Sequence, residues 1–399
     1  MKGSLSLLLT LFIQMAATAA VLAPPAIAPA LLADTGLNSQ AIGIYISIVY
    51  LAAALAGVYA TAFVRRLGPI RTSQICLLLC TCGLLLMATL DPWAAALGAA
   101  LLGCGYGPIT PASSDILART TPPERYALVF SLKQCGVPLG GAVAGLLAPS
   151  MVLHWSGRAA LIEMAVLCLL SLAAAQTLRA GLDANRDPGA PWPTRAAFMA
   201  PIRFVLRHRT LRLLCMCSFM FSIVQLCLSS YLVTYLNISL GWSLVAAGIG
   251  FSVAQAAGIA GRIGWSVVAD QSGRSMETLF ASTLLMALAT VAMVLPGPST
   301  SHVVVLALLV VFGATAIGWN GVFLALVARL APSGQAAGAT AGSLFFTYLG
   351  VVVGPPLFGA FARHSADLGI SYALLIVPLL LVLTLMGRHI KIMAAQQAV

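Results

Sequence analysis

Ala118-Arg119-Thr120-Thr121-Pro122 closes one long apolar run and opens another, and the turn returns as Ala328-Arg329-Leu330-Ala331-Pro332 at an offset of 210 residues. Two more pairs keep step with it. Gly141-Ala142-Val143-Ala144-Gly145 matches Gly350-Val351-Val352-Val353-Gly354 at an offset of 209, and Arg66-Leu67-Gly68 matches Gln271-Ser272-Gly273 at 205. The 399 residues are thus two parallel copies of one plan, each about 200 residues long. Either copy serves as a reference for the other.

Hydrophobic residues make up 60% of the chain and charged residues 8%, against roughly 25% charged in soluble domains. A water-soluble fold has no interior large enough for so much apolar surface. A bilayer core about 30 Å thick takes about 20 apolar residues per helix. The breaks predict spans near 5–32, 40–64, 72–90, 93–117, 126–149, 158–178, 210–236, 244–268, 278–295, 303–327, 336–361 and 372–387. The expected fold is all-α: twelve transmembrane helices in two pseudo-symmetric six-helix bundles. Residues 1–178 form the first bundle, 179–209 the linker and 210–399 the second. Parallel duplication in such a chain points to a secondary transporter.

If both termini are cytoplasmic, 17 of the 21 basic residues fall on inner loops and tails, and only Arg158 and Arg363 on outer loops. The positive-inside rule then orients the chain in a bacterial inner membrane, and the net charge of +11 is a topology signal with no nucleic-acid partner behind it. The apolar run after Lys2 imitates a secretory leader, but removing it would leave eleven spans and break the repeat. The nine cysteines lie inside spans without metal-ligand spacing, so neither disulfides nor zinc are expected. With lysines only at 2, 133 and 391 there is no phosphate-cradling Gly-rich loop ending in Lys. Catalytic motifs are missing too, so neither an enzyme nor a cofactor is expected; the chain reads as a monomer whose partners are lipid and a small solute.

The linker ends in a stretch where Phe198, Met199, Ile202, Val205 and Leu206 recur at helical spacing among arginines. It reads as a basic amphipathic helix on the membrane face, or as a solvated linker that begins the next span early. Within the spans stand Pro24, Pro25, Pro29, Pro108, Pro111, Pro138, Pro355 and Pro356. Each frees a carbonyl that a neighbouring helix must satisfy, because lipid cannot.

Twelve spans, the loop carrying Arg66, Gly68 and Arg71, its counterpart Asp270-Gln271-Ser272-Gly273-Arg274, and a Gly/Pro-rich fifth span resemble the major facilitator superfamily over essentially the whole chain. The resemblance implies cytoplasmic gate loops at Arg66 and Gly68 and at Asp270, Gly273 and Arg274. Both depart from the family pattern: Arg65 stands where an acid is expected, and Gln271 where an arginine is expected.

Four ionisable residues lie within spans: Asp115, Lys133, Glu163 and Arg262. Each costs about 2.5–3.5 kcal/mol near mid-bilayer. Asp115 and Glu163 sit near span ends and are the proton-coupling candidates. Lys133 and Arg262 lie about 12 Å inside the inner edge at helical rise. Their counterparts in the other copy are Ser343 and Gly57, so the shared plan requires neither cation. Two buried bases without an obvious acid favour an anion, Arg262 offering a planar fork and Lys133 a point charge. The competing reading has Lys133 snorkel or pair with Asp115 and uses Arg262 to tie helices through freed carbonyls. Arg262 followed by Gly264 is also similar to the monocarboxylate-transporting branch of the superfamily.

Gln14 and Gln225 occupy similar depths in spans one and seven, and Thr110 and Asn320 correspond at offset 210. The resemblance places their helices around a central cavity, with Tyr106, Trp319, Tyr231 and Tyr348 as candidate walls. The expected activity is alternating-access transport of a mono- or dicarboxylate, proton-coupled or by anion exchange. A proton-driven multidrug exporter is the first alternative, because Gly136-Val137-Pro138-Leu139-Gly140-Gly141 is similar to an antiporter motif. A non-transporting receptor is the second, and it needs no buried charge.

Overall fold

The computed structural model describes residues 2–122, 126–192, 195–332, 336–364 and 368–397. Arg125 of the expected inner-loop set lies outside them, as do the side chains of Lys2, Arg195 and Phe198. The first half holds α1 (Lys2–Ala26), α2 (Ala28–Thr35), α3 (Gln40–Leu67), α4 (Pro69–Met87), α5 (Pro92–Tyr106), α6 (Ile109–Thr120), α7 (Tyr126–Gln134), α8 (Gly136–His154) and α9 (Gly157–Gln176). Then come α10 (Arg179–Leu182) and α11 (Arg195–Arg207). The second half holds α12 (Arg209–Thr234, extended by a π turn Tyr235–Ser239), α13 (Leu244–Ser272), α14 (Ser275–Ala292), α15 (His302–Ala316), α16 (Asn320–Leu330), α17 (Ala336–His364), α18 (Leu368–Leu374) and α19 (Ile376–Gln397). Asp91, Ser156 and Ser243 start α5, α9 and α13 by accepting the amides of Ala94 (2.8 Å), Ala159 (3.2 Å) and Ala246 (3.2 Å).

Among the described residues 11 segments are long and apolar enough to cross a membrane. The twelfth is α5 followed by α6, which the expected span 93–117 treated as one helix. It is not one, because Gly107-Pro108 separates pieces of 15 and 12 residues. The repeat counterpart of that pair, Ile317-Gly318, separates α15 from α16. Both halves therefore break the same span at the same place.

The prolines explain how the bundle is tied. A proline inside a helix leaves the carbonyl four residues earlier without its amide. Pro25 frees Val21, whose carbonyl accepts Tyr45 Oη from α3 at 2.8 Å. Pro356 frees Val352, whose carbonyl accepts the Ser47 hydroxyl. Pro138 frees Gln134, whose carbonyl accepts Arg262 Nη1 at 3.0 Å. The last two bonds join the halves.

A further join lies between α8 and α13. Ser252 Oγ donates to the carbonyls of Ala142 and Gly248, and a Cβ at Gly145 would stand 2.5 Å from that hydroxyl. Only glycine permits α8 and α13 to cross so closely. Towards the termini, α11 connects the linker to the second half, with Val205 fully buried and Pro201 against Gly342 of α17.

Candidate functional site

Each half builds a polar knot where its broken span meets its first helix. In the first half Gln14 Oε1 accepts Lys133 Nζ at 3.0 Å and Thr110 Oγ1 at 3.1 Å, while Lys133 also reaches Thr110 Oγ1 at 3.2 Å. Gln14 Nε2 is turned to Thr18 Oγ1, 3.4 Å away. In the second half Gln225 Oε1 accepts Trp319 Nε1 and Asn320 Nδ2, both at 3.0 Å. The break explains the position: Thr110 and Asn320 each stand in the first turn after the interruption. A buried amide without partners would cost several kcal/mol, and buried Gln14 has a partner for both its oxygen and its nitrogen.

Arg262 lies between the knots. Beyond the Gln134 carbonyl, its Nη2 reaches the Ile317 carbonyl at 3.4 Å, inside the second-half break. It therefore does act as a tie between helices, as the competing sequence reading had it. Its Nε, however, is buried and has no partner among the described residues. Lys133 is 1% exposed and precedes Gln134, whose carbonyl Arg262 holds. No described carboxylate forms an ion pair with either cation. The Lys133–Asp115 pair of the competing reading does not form, because Asp115 turns to Arg119 on its own helix at 2.8 Å.

The remaining candidates divide. Tyr106 stacks edge-on with Tyr50 at 5.9 Å, and Tyr50 contacts Tyr348 at 6.0 Å, so two of the four candidate wall aromatics meet across the halves through a residue the sequence reading passed over. The repeat offered a signal: at offset 205 Tyr50 corresponds to Gln255, another polar side chain at the join. Trp319 is fully buried between Phe221 and Phe323. Tyr231 stands apart, its hydroxyl bound to the Pro355 carbonyl at 3.0 Å and its ring on Phe358. Glu163 has a buried Oε2 without a hydrogen bond.

The loops near the termini are built differently in the two halves. Gly68 has φ +93° and no room for a side chain beside Asp183, whose carboxylate accepts the amides of Ile70 (2.8 Å) and Arg71 (3.0 Å) at the start of α4. Burial raises the Asp183 carboxyl above the usual aspartate range, while those two amides and Arg179 pull it back. Arg66 bonds the Ala190 carbonyl at 3.0 Å and lies over the Trp192 ring. In the second half Gly273 closes α13 at φ +66°, and Asp270 pairs with Arg329 at 2.6 Å.

The family model described as Major Facilitator Superfamily matches residues 7–355. The chain belongs to that superfamily. Comparison by sequence with characterised proteins gives no match. Solved superfamily structures share the fold: the nucleoside transporter NupG at TM-score 0.78 and 13% identity, covering 95% of this chain and 99% of its own. A bacterial homologue of the human lysosomal transporter Spinster gives 0.74 at 15% identity and 96% coverage of both chains. A peptide transporter, POT, in complex with sulfate gives 0.75 at 17%, covering 96% of this chain and 94% of its own. This superfamily member is a multi-pass membrane transporter and not an enzyme.

Proposed function

We propose that this transporter carries a small organic anion, a mono- or dicarboxylate, bound by Arg262 with Lys133 assisting. The observation that carries the reading is the pair of buried cations that no described carboxylate neutralises, one of them with an unpartnered buried N–H. A desolvated cation without a counter-ion is costly, and a bound carboxylate removes that cost. Residues 1–178 and 210–399 rock about the site, joined by 179–209, with both termini on the cytoplasmic side of a bacterial inner membrane. The gate loops at Arg66 and Gly68 and at Asp270, Gly273 and Arg274 part and meet as they do so. Transport is coupled to protons or to a counter-anion. Glu163, which has no ion-pair partner among the described residues, carries the proton in the first case, since Asp115 is held by Arg119.

A proton-driven exporter of lipophilic compounds is the second reading, supported by an apolar groove between α1, α2, α3, the end of α4 and α5 that includes Pro25, Leu31, Tyr45, Ile48 and Met87. Counterflow in proteoliposomes separates the two. Carboxylates should exchange, and Arg262→Ala and Lys133→Ala should each reduce that exchange by about ten- to a hundredfold, the usual value of a charge-assisted hydrogen bond. Exchange confined to amines and neutral drugs, or anion exchange unchanged in both variants, would overturn the anion reading.

A further inference from the structure

We infer that the exposed side of α11 docks on anionic lipid headgroups at the membrane surface where α12 enters the bilayer. α11 (Arg195–Arg207) ends two residues before Arg209, where the membrane-spanning segment Arg209–Ser239 begins. His208 is extended, with φ −96° and ψ 116°, and separates the two helices. The C-terminal end of α11 therefore stands at the membrane boundary.

One side of α11 is already taken. Ile202 and Val205 are buried, and a Cβ at Gly342 of α17 would stand 2.4 Å from the Pro201 carbonyl oxygen and 2.9 Å from Val205 Cγ1. The adjoining side carries Met199, Arg203, Leu206 and Arg207, which at helical spacing fall within an arc of about 100°. All four are exposed, Met199 at 37% and Leu206 at 40%. Arg209 and Arg212 are exposed in the first turn of α12. None of these four arginines pairs with a carboxylate among the described residues. The chain supplies no acid nearby, since neither aspartate nor glutamate occurs between Asp187 and Asp270.

A basic cluster beside a membrane span attracts anionic headgroups, each cation contributing about fivefold in affinity. The apolar side chains decide between a lipid and an acidic protein. Met199 and Leu206 lie among the arginines on one arc, so the arc matches a surface that is anionic on the outside and apolar just beneath. That is the layering of a lipid interface. A lipid held on α11 acts on α17, whose Val352 carbonyl Ser47 holds from the first half.

The test follows thermal unfolding of the whole chain in a neutral detergent while phosphatidylglycerol, phosphatidylcholine, inorganic phosphate or polyglutamate is added. Phosphatidylglycerol should raise the melting temperature at a lower concentration than phosphatidylcholine, and high salt should remove the difference. Arg203→Gln combined with Arg207→Gln should raise the phosphatidylglycerol concentration required by about twenty- to thirtyfold and leave the response to phosphatidylcholine alone. Arg158→Gln combined with Arg363→Gln removes the same charge elsewhere and should change neither response. Arg158 lies at the end of α9 away from the linker, and Arg363 lies about 30 Å along α17 from Gly342 at helical rise. Leu206→Gln should weaken both lipids alike, as an inserted side chain requires. Equal responses to the two lipids, a response to phosphate or polyglutamate that matches phosphatidylglycerol, or equal losses in the two double variants would overturn the inference.

Discussion

The two polar knots are the same construction with different content. In each, a glutamine of the first helix of its half offers one carbonyl oxygen to two donors beside a broken span. In the first half one donor is the buried ammonium of Lys133; in the second it is the neutral indole of Trp319. Duplication conserved the acceptor and left the donors free to change. What differs is charge, and charge decides how much each glutamine contributes.

The largest effect expected from that comparison is at Gln14. Gln14→Leu leaves Lys133 with Thr110 as its one hydrogen-bond acceptor among the described residues, which should destabilise by about 3 kcal/mol or more. Thermal unfolding in detergent should show a large downward shift, and a melt within error of the parent would mean that the ammonium finds another partner. The matching change, Gln225→Leu, orphans two neutral donors and should cost about 1–3 kcal/mol. A larger loss at Gln225 than at Gln14 would reverse the comparison.

The gate loops give the next step down. Asp183→Ala removes a buried acceptor of two backbone amides at the start of α4 and should cost about 1–2 kcal/mol. Asp270→Ala breaks a pair whose side chains are 55% and 63% exposed, so its cost should stay below about 1 kcal/mol and shrink further in high salt. Melts of both variants at low and high salt check the order. The smallest effect is expected from Arg65→Asp, which restores in the first half the acid that Asp270 provides in the second. It gives Arg119 an alternative to Asp115 and should change stability by no more than a few tenths of a kcal/mol.

The sequence made the duplication, the spans and the deep cations legible, because each is a matter of spacing and hydropathy. It also gave the correspondence of Thr110 with Asn320, since the repeat offset alone carries it. Pro108 is legible as a breaker within its span, but that it ends the helix at Gly107-Pro108 is not, because a proline near a glycine can bend a helix as well as end it. Tyr50 was missed because a tyrosine in an apolar run has no period of its own, and only a partner from the other half gives it meaning. Asp183 was missed for a related reason: its partners are backbone amides 112 and 113 residues away, and backbone atoms leave no mark on composition. Tyr231, placed with the wall aromatics by residue type, is occupied instead by a carbonyl on α17.

The carbonyls freed by Pro138 and Pro356 have a consequence for the transport cycle. Arg262 and Ser47 each hold one of them from the other half. If the halves part at these bonds during transport, both oxygens need new donors, which solvent entering between the helices can supply. Water is then a reactant in the opening step, and the rate of that step should fall as osmolytes excluded from the cleft lower the activity of water.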